Sequence, residues 1–203
     1  MFAIVESGSI TSMPSGNKGI TIGDNQYPAT IFKLWTEAER NAIGVYTVEI
    51  DNTNKKEEEW YINTNITYAY DSSSDKVKGT YGTATARSLV DTDATDSEGN
   101  KLKDSDGNQI IDEGLKTIKK RLLDTQCKGL LEPSDWMYIK AGEEGTTMDS
   151  GWKTWRASVR TKCNSMQTQI DNAADVDALA ALFTYTTTDG VTSRPLGEFP
   201  TKE

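Results

Sequence analysis

The spacing of the apolar residues changes once along this chain, and that change sets what it can fold into. Up to about residue 90 the apolar positions alternate, in short β-branched and aromatic runs broken by Gly, Asn, Asp and Ser: FAIV, GITIG, VYTVEI, EWYINTNITYAY and KVKGTYG. From residue 113 to about 185 they recur every three or four residues, which is helical spacing. The expected class is therefore α+β. A small β-rich module with one short helix covers 1–90, and a helical hairpin or three-helix module covers 113–185.

Within the first module, Val45, Thr47 and Glu49 fall on one face of a strand and Tyr46, Val48 and Ile50 on the other, the pattern of a half-buried strand. Trp60, Ile62, Thr64, Ile66, Tyr68 and Tyr70 alternate with a polar set, so one long strand with one wet face is expected there. Asp71–Asp75 (DSSSD) reads as the hairpin loop that leads into KVKGTYG. The single helix is signalled by Thr36 and Glu39, a capping box in which each residue satisfies an amide of the other, with Gly44 placed to stop it. Trp35, just before the cap, is positioned to pack onto that helix.

Residues 91–112 are strongly acidic and hold a near-repeat with an offset of eight, DSEGN at 96–100 and DSDGN at 104–108, with Leu102 and Ile110 in equivalent places after each copy. Gly after acidic residues signals turns, so an exposed linker or a small hairpin excursion is expected. In the helical part, Leu115, Ile118, Leu122 and Leu123 share one helix face, which Gly129 and Pro133 help to end. Ser150 is placed to cap a second helix whose stripe runs Trp152, Trp155, Val159, Cys163, Met166 and Ile170. Val176, Leu179 and Phe183 mark a third. Residues 186–203 read as an irregular tail that either is mobile or lies across another surface.

Composition narrows the chemistry. The net charge is −9, which argues against nucleic acid or an anionic membrane surface as partner. The chain has no histidine, so the commonest general base and the usual zinc ligand are missing. Enzymatic activity is the least supported class, and neither a cofactor nor a metal is expected. The two cysteines, Cys127 and Cys163, read as two small buried thiols more readily than as a disulfide. MFAIVESGSI lacks the basic start of a signal peptide, and no apolar run approaches the ~20 residues of a membrane span, so synthesis in a reducing cytoplasm is expected.

Three motifs invite a ligand. In the acidic repeat, Gly107 at position 6 of a calcium loop puts Asp104, Asp106 and Glu113 at positions 3, 5 and 12, but Leu102 then occupies the first ligand position. Solvated turns are the better reading. Tyr61, Tyr68, Tyr70 and Tyr81 form either a stacking platform for a glycan or base or, more commonly at strand spacing, a set of core and cross-strand partners. Arg156 and Arg160 lie one helical turn apart beside the tryptophan stripe. They are candidate interface residues, since Trp and Arg are enriched in interface hot spots, or else partners of the many carboxylates.

Residues 130–166 hold three of the five tryptophans, and Trp is costly to expose. Trp152 and Trp155 are expected inside, with Trp136 anchoring its loop back onto the helices. Leu122–Leu123 after Arg121, then Ser134-Asp135-Trp136, then Trp152-x-x-Trp155-Arg156-x-x-Val159-Arg160 resembles the C-terminal segment of bacteriophage tail assembly proteins, the tail-assembly-chaperone-like and tail-fibre-associated group. This chain departs from that pattern with Trp155 for Tyr, Val159 for Leu, and AGEEGTTMDSG in place of a short proline-rich connection. The resemblance covers about a fifth of the chain. It implies a virion structural protein of a tailed phage, a tail or fibre-associated component present in several copies and acting on other tail or fibre proteins. A transient, non-structural assembly chaperone is the alternative, and a calcium- or glycan-binding host-recognition module a further one.

Overall fold

Ser7 and Gly8, both at positive φ (53° and 79°), turn β1 (Phe2–Glu6) back into β2 (Ser9–Ser12). That pair of angles matches the strand twist of a two-residue hairpin. The computed structural model describes residues 1–202, and the chain divides into two compact units, Met1–Thr85 and Ala86–Glu203. The fold is α+β.

In the first unit, β3 (Ile20–Ile22) and β4 (Asn25–Tyr27) form a small hairpin, followed by α1 (Ile31–Leu34), α2 (Glu37–Asn41), β5 (Val45–Asp51), β6 (Tyr61–Ile62), β7 (Ile66–Asp71) and β8 (Lys76–Tyr81), and the two-residue β9 (Thr85–Ala86) falls at the boundary. Five strands make one sheet in the order β2-β1-β5-β8-β7, antiparallel except for the parallel pair β5–β8. On one face Ala3, Tyr46, Val48 and Val77 are buried, and Ile10 from one edge strand packs there with Tyr68 and Tyr70 from the other, so the sheet curls around this cluster. On the opposite face Ile4 and Val45 are buried against Ile31 and Phe32 of α1, ringed by Tyr27 and Trp35.

Two sequence expectations are corrected here. The strand at 45–50 is not half-buried: Val45, Tyr46 and Val48 are all enclosed, because β5 is central and α1 covers the face expected to be wet. The long strand expected from Trp60 is interrupted. Trp60 is buried in a turn in which its own amide and that of Tyr61 donate to the Glu57 carbonyl at 3.1 and 2.9 Å, and alternation holds only from Ile66 to Tyr70. The helix signals hold. Thr36 Oγ1 accepts from Glu39 N at 3.3 Å, and Thr36 N donates to Glu39 Oε2 at 2.8 Å, which lowers the Glu39 carboxyl below its ordinary value. Gly44 ends the turn at φ 81°, where a Cβ would stand 2.6 Å from the Val5 carbonyl oxygen, so no other residue fits.

The second unit opens with β10 (Thr92–Asp93) and β11 (Ile111–Asp112), which pair and flank the acidic repeat. Between them the eight-residue repeat becomes two equivalent turns. Leu102 N donates to Ala94 O, Ile110 N to Leu102 O, and Ala94 N to Ile110 O at 2.8–3.0 Å, a closed ring of backbone bonds with members eight residues apart. The helices follow: α3 (Leu115–Leu131), α4 (Asp135–Glu143), α5 (Ser150–Asn172) and α6 (Val176–Phe183). α5 runs antiparallel to α3, as Lys120–Asp171, Asp124–Gln167 and Leu131–Arg156 contacts show. Val159, Cys163, Met166 and Ile170 form its buried face, opposite Leu115 and Leu123 of α3 and beside Val176 and Leu179 of α6. Each such side chain contributes about 1.5–3 kcal/mol through burial.

On α3 the buried set is Leu115, Lys119 and Leu123, one residue every turn, and not the expected Leu115, Ile118, Leu122 and Leu123. Lys119 takes the core position by lying along it with its ammonium 4.9 Å from the Phe183 ring centre, leaving Ile118 and Leu122 outside. The segment 186–203 is not irregular throughout. β12 (Thr186–Thr188) and β13 (Val191–Ser193) form a hairpin about Asp189-Gly190, both at positive φ. Leu196 is then fully buried, and Lys162 Nζ donates to its carbonyl at 3.0 Å, so the tail lies across α5. Among the described residues no helix is long and apolar enough to cross a membrane.

Candidate interaction surface

α4 stands where the sequence predicts the loop that carries Trp136. Pro133, expected only to stop α3, sits at the start of a 3-10 turn, Glu132–Ser134, through which the chain passes straight into α4. Asp135 stands in the first turn of α4 and Lys140 in the last, the favoured ends for their charges. The helix buries only Ala141. Trp136 is 56% exposed, Tyr138 71% and Ile139 61%, three large apolar side chains turned to solvent on nine residues. The expectation that Trp136 packs back onto the helices is therefore corrected: it stands at the rim of a groove bordered by Lys140, Met148 and Trp152.

What holds α4 in place is Arg156. It was expected beside the stripe of α5, and it is instead on the buried face, 8% exposed. Nη1 donates to the Leu131 carbonyl at 2.6 Å and to Ser134 Oγ, and Nη2 donates to Asp135 Oδ1 at 2.6 Å. Ser134, almost fully buried, also donates to Leu131 O at 2.8 Å. One guanidinium thus satisfies a carbonyl at the C-terminal end of α3, where a cation is favoured, and ties it to the first turn of α4. Arg156 is a clamp between three helices.

Arg160, one turn further along α5, is exposed. With Arg156, Asp135, Tyr138 and Ile139 it lines a depression of about 350 Å³ between α4 and α5. The two arginines singled out in the sequence are thus brought to one place with different duties. Arg156 is spent on the fold, and the Arg160 guanidinium is presented next to the Tyr138 and Ile139 side chains.

The remaining tryptophans divide similarly. Val159 is fully buried, but Trp152 and Trp155 are half-buried on the flank of α5, stacked edge to face with ring centres 5.6 Å apart. Trp155 Nε1 donates to the Pro200 carbonyl at 2.9 Å, and Lys202 lies 5.3 Å from the Trp152 ring centre. They hold the tail onto α5 and do not fill the centre of the unit. Asp149, not Ser150, caps this helix, accepting from Gly151 N and Trp152 N.

The other candidate sites dissolve into structure. Asp96 accepts from Glu98 N and Asn100 N, and Asp104 from Asp106 N and Asn108 N, all at 2.8–2.9 Å. The Asn100 side chain on Asp96 and the Asn108 backbone on Asp104 hold both carboxyls below their ordinary values. Gly99 and Gly107 provide the positive φ (87° and 84°) that closes each turn. Among the described residues no three acidic or thiol side chains converge as a metal cluster. The tyrosines do not share a platform. Tyr68 and Tyr70 pack on the sheet core, with Tyr70 Oη donating to Asp75 at 2.7 Å, while Tyr61 and Tyr81 are each covered by a lysine.

Comparison with known proteins adds no relative: no family, no curated protein and no solved structure matches the chain.

Proposed function

We propose that this chain acts by assembly, binding other proteins through the α4 surface, as a structural component of a tailed-phage particle associated with the tail or its fibres. The observation that carries the binding role is α4 itself. Trp136, Tyr138 and Ile139 are exposed on a helix whose position is fixed by a buried arginine. Scattered exposed apolar residues are ordinary, but three on one short helix, two of them beside an exposed arginine, have the composition of an interface centre. Preorganisation of α4 by Arg156 lowers the ordering cost of binding.

The placement in a phage particle rests on the resemblance of the Ser134-Asp135-Trp136 and Trp152-x-x-Trp155-Arg156-x-x-Val159-Arg160 segments to tail assembly proteins. In this reading the β-rich and helical modules each present an interaction face, in several copies per particle. The same resemblance includes chaperone-like proteins, so the alternative is a transient chaperone that leaves before the particle is complete. Quantitative mass spectrometry of purified particles tests the choice. A stoichiometric chain in the particle supports the structural role. Its absence, with recovery bound to a tail or fibre protein from infected cells, supports the chaperone. Absence from both overturns the proposal.

A further inference from the structure

We propose that Cys127 and Cys163 are the two halves of a reversible disulfide that staples α3 to α5 when the protein meets a small-molecule disulfide such as oxidised glutathione. The antiparallel register of the two helices supports this. Lys120 meets Asp171, Asp124 meets Gln167, and Leu131 meets Arg156. Between the last two rungs, Cys127 of α3 falls opposite Cys163 of α5. The side chains agree with that register: Cys163 Sγ donates to Asp124 Oδ1 at 3.8 Å, one turn from Cys127, and receives a hydrogen bond from Gln167 at 3.9 Å. Both thiols are free, and they are the only two in the sequence, so the pairing has no competitor.

The two thiols are not equivalent, and the difference sets the order of events. Cys163 is buried, and burial, followed by the neighbouring Cys127 thiol, pushes it up to about 12. Cys127 is half-buried and reachable from solvent. The thiolate is the attacking species in disulfide exchange, so Cys127 reacts first. Its sulfur forms a bond to one sulfur of glutathione disulfide, the S–S bond breaks, and one glutathione thiolate leaves. Cys163 then gives up its proton, which the released glutathione thiolate takes up, and attacks Cys127 Sγ. The mixed disulfide breaks and the second glutathione leaves. The protein loses two electrons and two protons, and glutathione disulfide gains both as two thiols. The closed loop runs from the end of α3 to the middle of α5 and contains the whole of α4.

The test uses the full chain, reduced and then incubated with oxidised glutathione. The expected product is a monomer lighter by about 2 Da with no free thiol. Its non-reducing tryptic digest contains Leu122–Lys128 joined to the peptide that begins at Cys163. Its melting temperature rises by roughly 5–10 °C and falls back on reduction. Cys163→Ser should retain a stable glutathione adduct on Cys127, whereas Cys127→Ser should take up none while folded. Two results would overturn the proposal. One is thiols that stay free in the folded chain under conditions that oxidise the unfolded chain. The other is a wild-type glutathione adduct on Cys127 that Cys163 does not resolve.

Discussion

α5 and α4 carry the same kinds of residue and use them in opposite ways. On α5 the arginine and tryptophans of the block other than Arg160 have partners within the protein: Arg156 holds the α3 end, Trp155 donates to Pro200, and Trp152 stacks on Trp155. On α4, Trp136, Tyr138 and Ile139 are turned outward. The difference teaches that a tryptophan or arginine in a sequence is ambiguous until its neighbours across space are known. The exposed apolar side chains of the block lie on the helix with fewer internal contacts, and the helix with more of them provides its support.

The sharpest way to break this comparison is at the arginines. Arg156→Ala leaves the Leu131 carbonyl and the buried Ser134 hydroxyl short of a donor, and should cost about 2–4 kcal/mol in urea unfolding. Arg156→Lys should recover little, because one ammonium cannot reproduce the forked donation. Arg160→Ala should change stability by no more than about 0.5 kcal/mol, being an exposed position. Equal losses at both positions would remove the division of labour between clamp and surface. A smaller effect is expected at Trp155. Trp155→Phe keeps most of the ring but loses the bond to Pro200, which should cost about 1 kcal/mol and free the tail for chymotryptic cleavage after the buried Leu196 without melting α5.

Much of this architecture was legible in the residues. The steps of three and four through Val159, Cys163, Met166 and Ile170 correspond to the buried face of α5, and Thr36 with Glu39 forms the capping box that its spacing suggests. Those features are local, and period and capping are local properties. What stayed hidden depends on contacts between distant segments. Arg156 is buried because the end of α3 needs a donor there, and no pattern within α5 shows that. Lys119 replaced Ile118 on the inner face because Phe183 gives its ammonium an aromatic partner. α4 is hidden in the sequence because Pro133 can end a helix and is equally at home in a first helical turn. The hairpin around Asp189-Gly190 does carry a local sequence signal, an Asp-Gly pair between Thr- and Val-bearing runs. The general cost of exposing tryptophan predicts Trp136 inside, but its position depends on which neighbours α4 meets, and there it is 56% exposed.

The central claim is that the α4 side chains serve binding and not folding. It is tested most directly by replacing Trp136, Tyr138 and Ile139 together with alanine, then measuring the amount of chain incorporated into purified phage particles alongside its unfolding free energy. The account predicts stability close to that of wild type, within about 1 kcal/mol, and incorporation reduced tenfold or more. A variant that unfolds by several kcal/mol, or one that is as stable and as fully incorporated as wild type, would contradict it.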